Sequence, residues 1–253
     1  MTRTDIPPGR PDFTTQRLFT EAALNAGAEI ALDRAQANYT LNVLRMRDGA
    51  ALLLFNGRDG EWRATLRAEG RKAASLLVDM QTRPQPAPSG PELLFAPLKH
   101  ARLDYMVQKA VEMGAARLRP VITARTQVTR VNLDRMRANA IEAAEQCGVL
   151  AVPDVLPELR LGAVLADWPA GRTLIFCDEA ADPGRQSAAL TALAGQPLSV
   201  LIGPEGGFDA DERRQLLAVK DCLRLSLGPR ILRADTAAVA ALALVQALAG
   251  DWR

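Results

Sequence analysis

Alternating apolar and polar positions on either side of a turn predict a β-hairpin in the first third of the chain. Ala51–Phe55 is a short apolar run, and a turn rich in Asn, Gly and Asp separates it from Glu61–Leu66, where every other residue is apolar. This alternation is typical of a strand with one buried face. A second strand pair is predicted from Glu29–Leu32 and Ser75–Asp79, and one helix from Arg34–Leu44. We expect a small β-barrel, because closure leaves no exposed sheet edge.

After residue 92 the pattern changes to helical spacing that alternates with short apolar runs. The predicted helices are Lys99–Met113, Leu133–Cys147, Ala210–Val219 and Thr236–Leu248. The predicted strands are Thr173–Cys177, Leu198–Ile202 and Leu223–Leu227. Such alternation indicates an α/β fold with a mostly parallel sheet. The last helix is apolar on most sides, which predicts that it is buried in the core or against a partner subunit.

A proline-rich segment separates the two patterns. Residues 82–91 include four prolines, which fix the backbone and donate no hydrogen bonds, so an extended connector is expected. The sequence therefore predicts a β-rich domain over 1–81, a linker over 82–91 and an α/β domain over 92–253.

Composition narrows the class of protein. Apolar residues make up 48% and charged residues 24% of the 253 residues, which excludes a largely disordered or collagen-like chain. The longest apolar run, Ala237–Val245, is about half the length of a bilayer span, and the N-terminus lacks a hydrophobic signal stretch. We therefore expect a soluble, cytoplasmic protein. Three widely spaced cysteines and a single histidine predict no disulfide framework and no metal site.

Basic residues are concentrated in one segment. The whole chain has a net charge of +2, whereas Pro97–Arg137 contains nine Lys/Arg residues and three acidic ones. A basic patch of this kind suits a nucleic-acid backbone. A solvated helix face would give the same pattern, so charge alone leaves both interpretations open.

Two loops interrupt the regular pattern at equivalent places. Ile202–Phe208 and Ser226–Thr236 each contain a Gly-Pro pair, and each follows a predicted strand and precedes a predicted helix. Ligands of open α/β folds bind at this carboxyl edge of the sheet. Neither the GxGxxG nor the GxxxxGK[ST] fingerprint is present. Rigid loops that offer backbone groups suit an adenine or an uncharged ribose, which predicts a nucleoside-type cofactor without a polyphosphate.

The motifs in these loops carry a family resemblance. LIGPEGGF at 201–208 and LSLGPRILRADTAAVAAL at 225–242 resemble the SPOUT (α/β-knot) methyltransferases, most closely the RsmE family, which methylates N3 of a uridine in 16S ribosomal RNA. KAVEMG at 109–114, ITAR at 122–125 and EAAEQCG at 142–148 also match. QRLF at 16–19, NVLR at 42–45 and LFNG at 54–57 resemble the PUA-like RNA-binding barrel of the family. The family commonly has arginine where Val149 stands and glutamate where Asp235 stands.

The resemblance implies S-adenosylmethionine (SAM) as cofactor, a deep trefoil knot, a homodimer, and 16S ribosomal RNA or the small ribosomal subunit as partner. The residues expected to form the cofactor cradle are Gly203, Pro204, Glu205, Gly206, Gly207, Leu225, Ser226, Leu227, Gly228, Ile231 and Leu232. The residues expected to contact RNA phosphates are Arg17, Arg45, Lys99 and Arg125.

Methylation of uridine N3 requires loss of the N3 proton, and a fixed cation stabilises the resulting anion. Arg233 is the favoured candidate, with Arg230 beside it; a structural ion pair of Arg233 with Glu205 or Asp235 is the other interpretation. Glu205 is expected either to help remove the proton or, preferably, to hold its loop closed. The Asp235 carboxylate is expected to act in catalysis or to cap the last helix.

Two other functions remain open at the level of sequence. One is another SPOUT RNA methyltransferase, for example a ribose 2′-O enzyme acting on transfer or large-subunit RNA. The other is a non-catalytic RNA-binding assembly factor, which the departures at Val149 and Asp235 keep open.

Overall fold

The computed structural model describes residues 12, 14–70, 73–128, 130–182, 184 and 186–252. The chain divides into two compact units. The first contains the residues up to Ala87 together with Ala144–Ala151, and the second contains Pro88–Ala143 and the residues from Val152 onward. The return of Ala144–Ala151 to the first unit has no counterpart in the domain division that the sequence pattern predicts.

A five-stranded sheet forms the framework of the first unit. Its strands are β1 (Arg17–Phe19), β2 (Glu29–Ala31), β3 (Ala51–Phe55), β4 (Glu61–Ala68) and β5 (Ala74–Arg83). Their order is β1-β3-β4-β5-β2, with β1 parallel to β3 and the other pairs antiparallel. The predicted hairpin and the predicted pairing of β2 with β5 are confirmed. Strand β5 continues to Arg83, two residues into the segment predicted as linker.

The helix of this unit is shorter than predicted. Helix α1 covers Arg34–Asn38 and begins with a capping box between Asp33 and Gln36. A π-helical turn, Tyr39–Val43, follows it. The Thr40 hydroxyl donates to the Gln36 carbonyl at 2.9 Å, and bonds of this kind compete with regular helical ones. The backbone then turns at Arg45, whose φ of 53° lies in the left-handed region.

The second unit is a parallel α/β structure, as predicted. Its strands are β6 (Glu92–Phe95), β7 (Arg117–Ile122), β8 (Asp154–Val155), β9 (Leu159–Arg160), β10 (Thr173–Cys177), β11 (Leu198–Ile202) and β12 (Cys222–Leu225). The strand order is β12-β10-β11-β6-β7-β8, and β9 pairs with β7; all pairs are parallel. Its helices are α2 (His100–Glu112), α3 (Leu133–Cys147), α4 (Leu161–Ala166), α5 (Gln186–Ala192), α6 (Ala210–Leu217) and α7 (Ala234–Leu248), and the part of α3 from Ala144 onward belongs to the first unit. No helix among the described residues has the length and hydropathy needed to span a bilayer.

Two inner strands, β6 and β7, were not predicted from the sequence, because charged residues interrupt their apolar pattern. Glu92 begins β6 and is 9% exposed. Its carboxylate accepts hydrogen bonds from Arg119 on β7 and from Arg172, each at 3.1 Å, and from the Ser199 hydroxyl at 3.2 Å. Buried charges are tolerated where they are paired in this way. The charges on these strands therefore belong to an ion-pair network centred on the buried Glu92.

Helix α7 is joined to helix α2 by a buried glutamine. Gln246 is 1% exposed, and its side-chain amide donates to the Met113 carbonyl at 2.8 Å. Gly114 follows the C-cap residue of α2 with a φ of +74°, and a Cβ there would lie 2.4 Å from the Gln246 amide nitrogen. The positive φ therefore favours glycine, and a side chain here would also displace the Gln246 amide. The contact fixes the end of α7 against the end of α2.

Candidate functional site

Two loops at the carboxyl edge of the parallel sheet enclose a cavity. The first loop follows β11 and leads into α6, and the second follows β12 and leads into α7. Every residue predicted as cofactor cradle lines this cavity except Gly206, which lines a second cavity, and Ser226, which is buried. The structure therefore brings together parts of the chain that are 20 or more positions apart.

The cavity presents apolar side chains and glycine backbone. Gly203 has no room for a side chain, because an added Cβ would lie 2.6 Å from the Phe208 ring. Gly207 and Gly228 have φ angles of +69° and +97°, which favour glycine. Leu225, Leu227 and Leu232 supply apolar surface. This combination fits a nucleoside held through an apolar face and backbone hydrogen-bonding groups.

An acidic pair on the cavity wall was missed from the sequence. Asp178 and Glu179 directly follow β10, the strand between the two loop-bearing strands. Asp178 is 4% exposed and accepts hydrogen bonds from Arg213 at 2.8 Å and from Arg224 at 2.7 Å. Glu179 is exposed and also lines the cavity. An acidic pair directly after a predicted strand is the sequence signal that identifies this position.

Burial controls the chemistry of the neighbouring thiol. Cys177 ends β10 and lines the cavity. Burial raises the pKa of the Cys177 thiol to about 12, so the sulfur stays protonated near neutral pH. Because the thiolate is the reactive form, Cys177 is suited to packing and not to nucleophilic attack.

Arg102 connects the two predicted catalytic carboxylates. Its Nε and Nη2 each donate to Asp235 at 3.0 Å, and its Nη1 donates to Glu205. The hydrogen bonds from Arg102 lower the pKa of Asp235, and Asp235 and Glu205 together raise the pKa of Arg102. Arg102 lies in the first turn of α2, three residues after Lys99, and its role has no signal in the sequence beyond its basic charge.

Arg233 does not join this network. It is the N-cap residue of α7, and its side chain is exposed. Within the described part of the chain its guanidinium forms no hydrogen bond or ion pair, and it lines neither this cavity nor the second cavity described below. Arg230 does line the cavity between the two loops. The ion pair considered for Arg233 is formed by Arg102 instead, and the catalytic role of Arg233 stays a prediction.

The residues expected to contact RNA differ in accessibility. Arg17 is 6% exposed and donates to the buried Glu61 at 2.9 Å, so the expectation that it contacts a phosphate is corrected to a structural role. Arg125 is exposed, but its Nη1 donates to the Gly206 carbonyl at 2.6 Å. Lys99 and Arg45 are exposed. Among the residues that the structure describes, no group of three or more His, Cys, Asp or Glu is placed to hold a metal ion.

Comparison with known proteins identifies the family. Residues 85–246 match the RNA methyltransferase domain model, and residues 32–79 match the RNA methyltransferase PUA domain model. The chain is 30% identical to ribosomal RNA small subunit methyltransferase E of Rickettsia conorii over 92% of its own length and 95% of that protein.

Two solved structures are similar over nearly the whole chain. A Neisseria gonorrhoeae ribosomal RNA small subunit methyltransferase E bound to SAM is 28% identical, with a TM-score of 0.84, 94% of this chain and all of that one covered. A Legionella pneumophila methyltransferase with bound SAM is 29% identical, with a TM-score of 0.82 and 92% and 97% covered. With the domain-model matches, these similarities show that the chain belongs to the ribosomal RNA small subunit methyltransferase E (RsmE) family of RNA methyltransferases.

Proposed function

We propose that this protein transfers a methyl group from SAM to N3 of a uridine in the 16S RNA of the small ribosomal subunit. The observation that carries this proposal is the cavity between the two glycine-containing loops, in a chain whose solved relatives hold SAM. Assembly of the small subunit then places the protein in the cytoplasm.

Different cradle residues are proposed to bind different parts of the cofactor. Backbone groups of 203–207 and 225–228 are proposed to bind its polar edges, and Leu227, Ile231 and Leu232 to contact its adenine. When bound, SAM supplies a methyl group on a positively charged sulfur, which is open to in-line displacement. The task of the protein in such a reaction is mainly to hold the acceptor in line.

Neither Glu205 nor Asp235 is arranged as a strong base. Both accept hydrogen bonds from Arg102, and the pKa of Asp235 is lowered by that contact. A general base works best when its pKa lies near the working pH. We therefore assign these carboxylates to holding Arg102 and the first loop in place, while the N3 proton leaves to solvent. Arg233, exposed and unpaired among the described residues, is retained as a second cation near the reacting base.

The RNA surface is proposed to include Lys99 and Arg125 in the second unit and Arg45 in the first. We retain 1–81 as the RNA-binding domain, 82–91 as the linker and 92–253 as the catalytic domain. The proposal also includes the PUA-like barrel, the trefoil knot and the homodimer of the family. Partly exposed apolar residues on α7, including Val239 and Leu244, support a dimer contact through this helix.

Incubation with labelled SAM and unmodified small subunits tests the proposal. The RNA is digested, and mass spectrometry identifies the methylated nucleoside. N3-methyluridine at one position is the expected result. A 2′-O-methyl nucleoside would assign a different reaction, and bound RNA without incorporation would indicate an assembly factor.

A further inference from the structure

A second cavity lies along the same edge of the parallel sheet. Its lining comes from the segments that follow β6 and β7, including Leu98, Lys99, Gln127 and Val128, and from the first turn of α2. Pro204 and Glu205 of the first loop line both this cavity and the cofactor cavity. The first loop therefore forms a common wall between the two spaces.

Cationic groups dominate the second cavity. Lys99, Arg102 and Arg125 line it, against the single carboxylate of Glu205, which is already bonded to Arg102. Lys99 is exposed and forms no ion pair within the described residues. Arg125 bonds to a carbonyl, which leaves its charge uncompensated by any carboxylate among these residues. The cavity therefore favours a ligand that carries or develops negative charge.

Arg102 is held in one orientation and still has donors to offer. Three of its N–H groups bond to Asp235 and Glu205. A guanidinium carries five N–H groups and accepts no hydrogen bond, so two remain for a ligand. Because both carboxylates fix the guanidinium plane, these donors are oriented before any ligand arrives. Preorganised donors of this kind stabilise charge that develops during a reaction.

We infer that the second cavity binds the target uracil, with Lys99 and Arg102 donating to the carbonyl oxygens that flank N3. This inference rests on the proposed function. Uracil offers only acceptors at O2 and O4, and loss of the N3 proton to solvent spreads negative charge over both. The freed electron pair of N3 forms the N–CH3 bond as the C–S bond of the sulfonium breaks, and the electron pair of that bond returns to sulfur. Cytosine presents an amino group in place of O4, which repels donor-only side chains.

Two variants and a matched control test this assignment. Lys99→Ala removes an exposed cation of the second cavity, and Arg102→Lys removes the guanidinium plane while keeping the charge. Lys220→Ala is the control, because Lys220 is exposed and lies two residues before β12, at the amino edge of the same sheet. Each protein is assayed for methyl transfer to unmodified small subunits across a range of pH, and for SAM binding by calorimetry.

Both variants are expected to lower kcat/KM by about 10- to 100-fold, the loss that follows from removing a hydrogen bond to a charged group. The pH at which methyl transfer reaches half of its maximum should be higher in the variants than in the wild type. The reason is that bound uracil loses its N3 proton less readily when a nearby cation is missing. SAM affinity should be unchanged in Lys99→Ala, and the control should match the wild type in both assays. Wild-type kcat/KM and an unchanged pH profile in Lys99→Ala and in folded Arg102→Lys would overturn the assignment. No methyl transfer by the wild-type protein would instead refute the proposed function.

Discussion

Asp235 at the start of α7 accepts two hydrogen bonds, each 3.0 Å long, from the guanidinium of Arg102 on α2. The same guanidinium donates to Glu205 in the loop after β11. Three separate parts of the second unit thus meet at one side chain. Gln246 joins the C-terminal ends of α2 and α7, and Arg102 and Asp235 join their N-terminal ends. The two helices are therefore fixed to each other at both ends.

Asp235→Asn should lower the turnover of methyl transfer by about 10- to 100-fold, because an amide oxygen holds the Arg102 guanidinium less strongly than a carboxylate does. SAM affinity should change little, since Asp235 does not line the cofactor cavity. Asp211→Asn, in an exposed pair with Arg214 on α6, is the matched control. Equal rates in the two variants would remove Asp235 from the working site. Asp235→Glu keeps a carboxylate beside Arg102 and should retain most activity.

Arg233→Ala tests the cation that the sequence favoured. We expect a loss of methyl transfer of at least about tenfold with unchanged SAM binding, because the exposed guanidinium is available to meet negative charge on the RNA. Arg214→Ala on α6 removes another exposed arginine and should have no effect. Full activity of Arg233→Ala would leave Arg102 as the principal cation.

Gly228→Ala should weaken SAM binding by about tenfold. The φ of +97° at Gly228 is strained for any residue with a Cβ, at a cost of about 1–2 kcal/mol, and relaxation would move the second loop. Gly195→Ala provides the comparison, because Gly195 also has a positive φ of +76° and lies outside the cavity lining. Both variants should lower the stability of the protein, but calorimetry should show weaker SAM binding only in Gly228→Ala.

Arg45→Gly should weaken RNA binding without harming the fold. Glycine adopts the left-handed backbone conformation of Arg45 without strain. This gain offsets the greater conformational freedom of glycine in the unfolded chain, so the free energy of unfolding should change by no more than about 1 kcal/mol. If Arg45 contacts one phosphate, the slope of log affinity against log salt should fall by about 0.7–0.9. An unchanged slope, measured by fluorescence anisotropy on a 16S RNA fragment, would exclude that contact.

Glu61→Gln should destabilise the protein by about 3–5 kcal/mol, because it leaves two arginines without their buried carboxylate. Glu61 is 2% exposed and accepts from Arg17 at 2.9 Å and from Arg83 at 2.6 Å. Glu29→Gln, in an exposed pair with Arg67, should cost about 1 kcal/mol or less. Urea unfolding at neutral pH measures both, and equal costs would contradict the assignment of Glu61 as a structural centre.

The effect of Glu61 should also depend on pH. Burial alone would raise the pKa of Glu61, but hydrogen bonds from Arg83 and Arg17 outweigh burial and hold the pKa below its ordinary value of 4.5. A carboxylate with a lowered folded-state pKa stabilises fully above the unfolded value and loses that effect as pH falls through the folded value. The stability difference between wild type and Glu61→Gln should therefore be constant near neutral pH and shrink below about pH 4.5.

Local patterns were sufficient to predict the elements that bury one face and the loops at strand ends. The hairpin of β3 and β4 follows from the alternation of apolar and polar residues, and the strands β10 and β11 follow from short apolar runs. Strand β12 was predicted to end at Leu227 but ends at Leu225, because Ser226 bonds to Gln186 and leaves the sheet.

Partners that are distant in sequence could not be predicted. The sequence alone does not distinguish the roles of three arginines. In the structure, Arg17 is buried against Glu61, and Arg102 donates to two carboxylates. Arg125 instead donates to the Gly206 carbonyl. For the same reason, the sequence pointed to Arg233 as a partner of Asp235, whereas the structure shows Arg102 in that position. Residues 102 and 235 meet only because α2 and α7 pack together, which no local pattern encodes.

The chain passes between its two units three times, and this limits how it can be cut. A fragment starting at Glu92 keeps Ala144–Ala151 but loses the residues that bond to this segment: the Phe19 amide, 2.8 Å from Glu145, and the Arg83 guanidinium, 3.1 Å from the Gly148 carbonyl. The fragment from Glu92 onward is thus not an exchangeable module. Truncation at the proline-rich segment would therefore expose the end of α3, because the residues that bond to Glu145 and Gly148 are then missing.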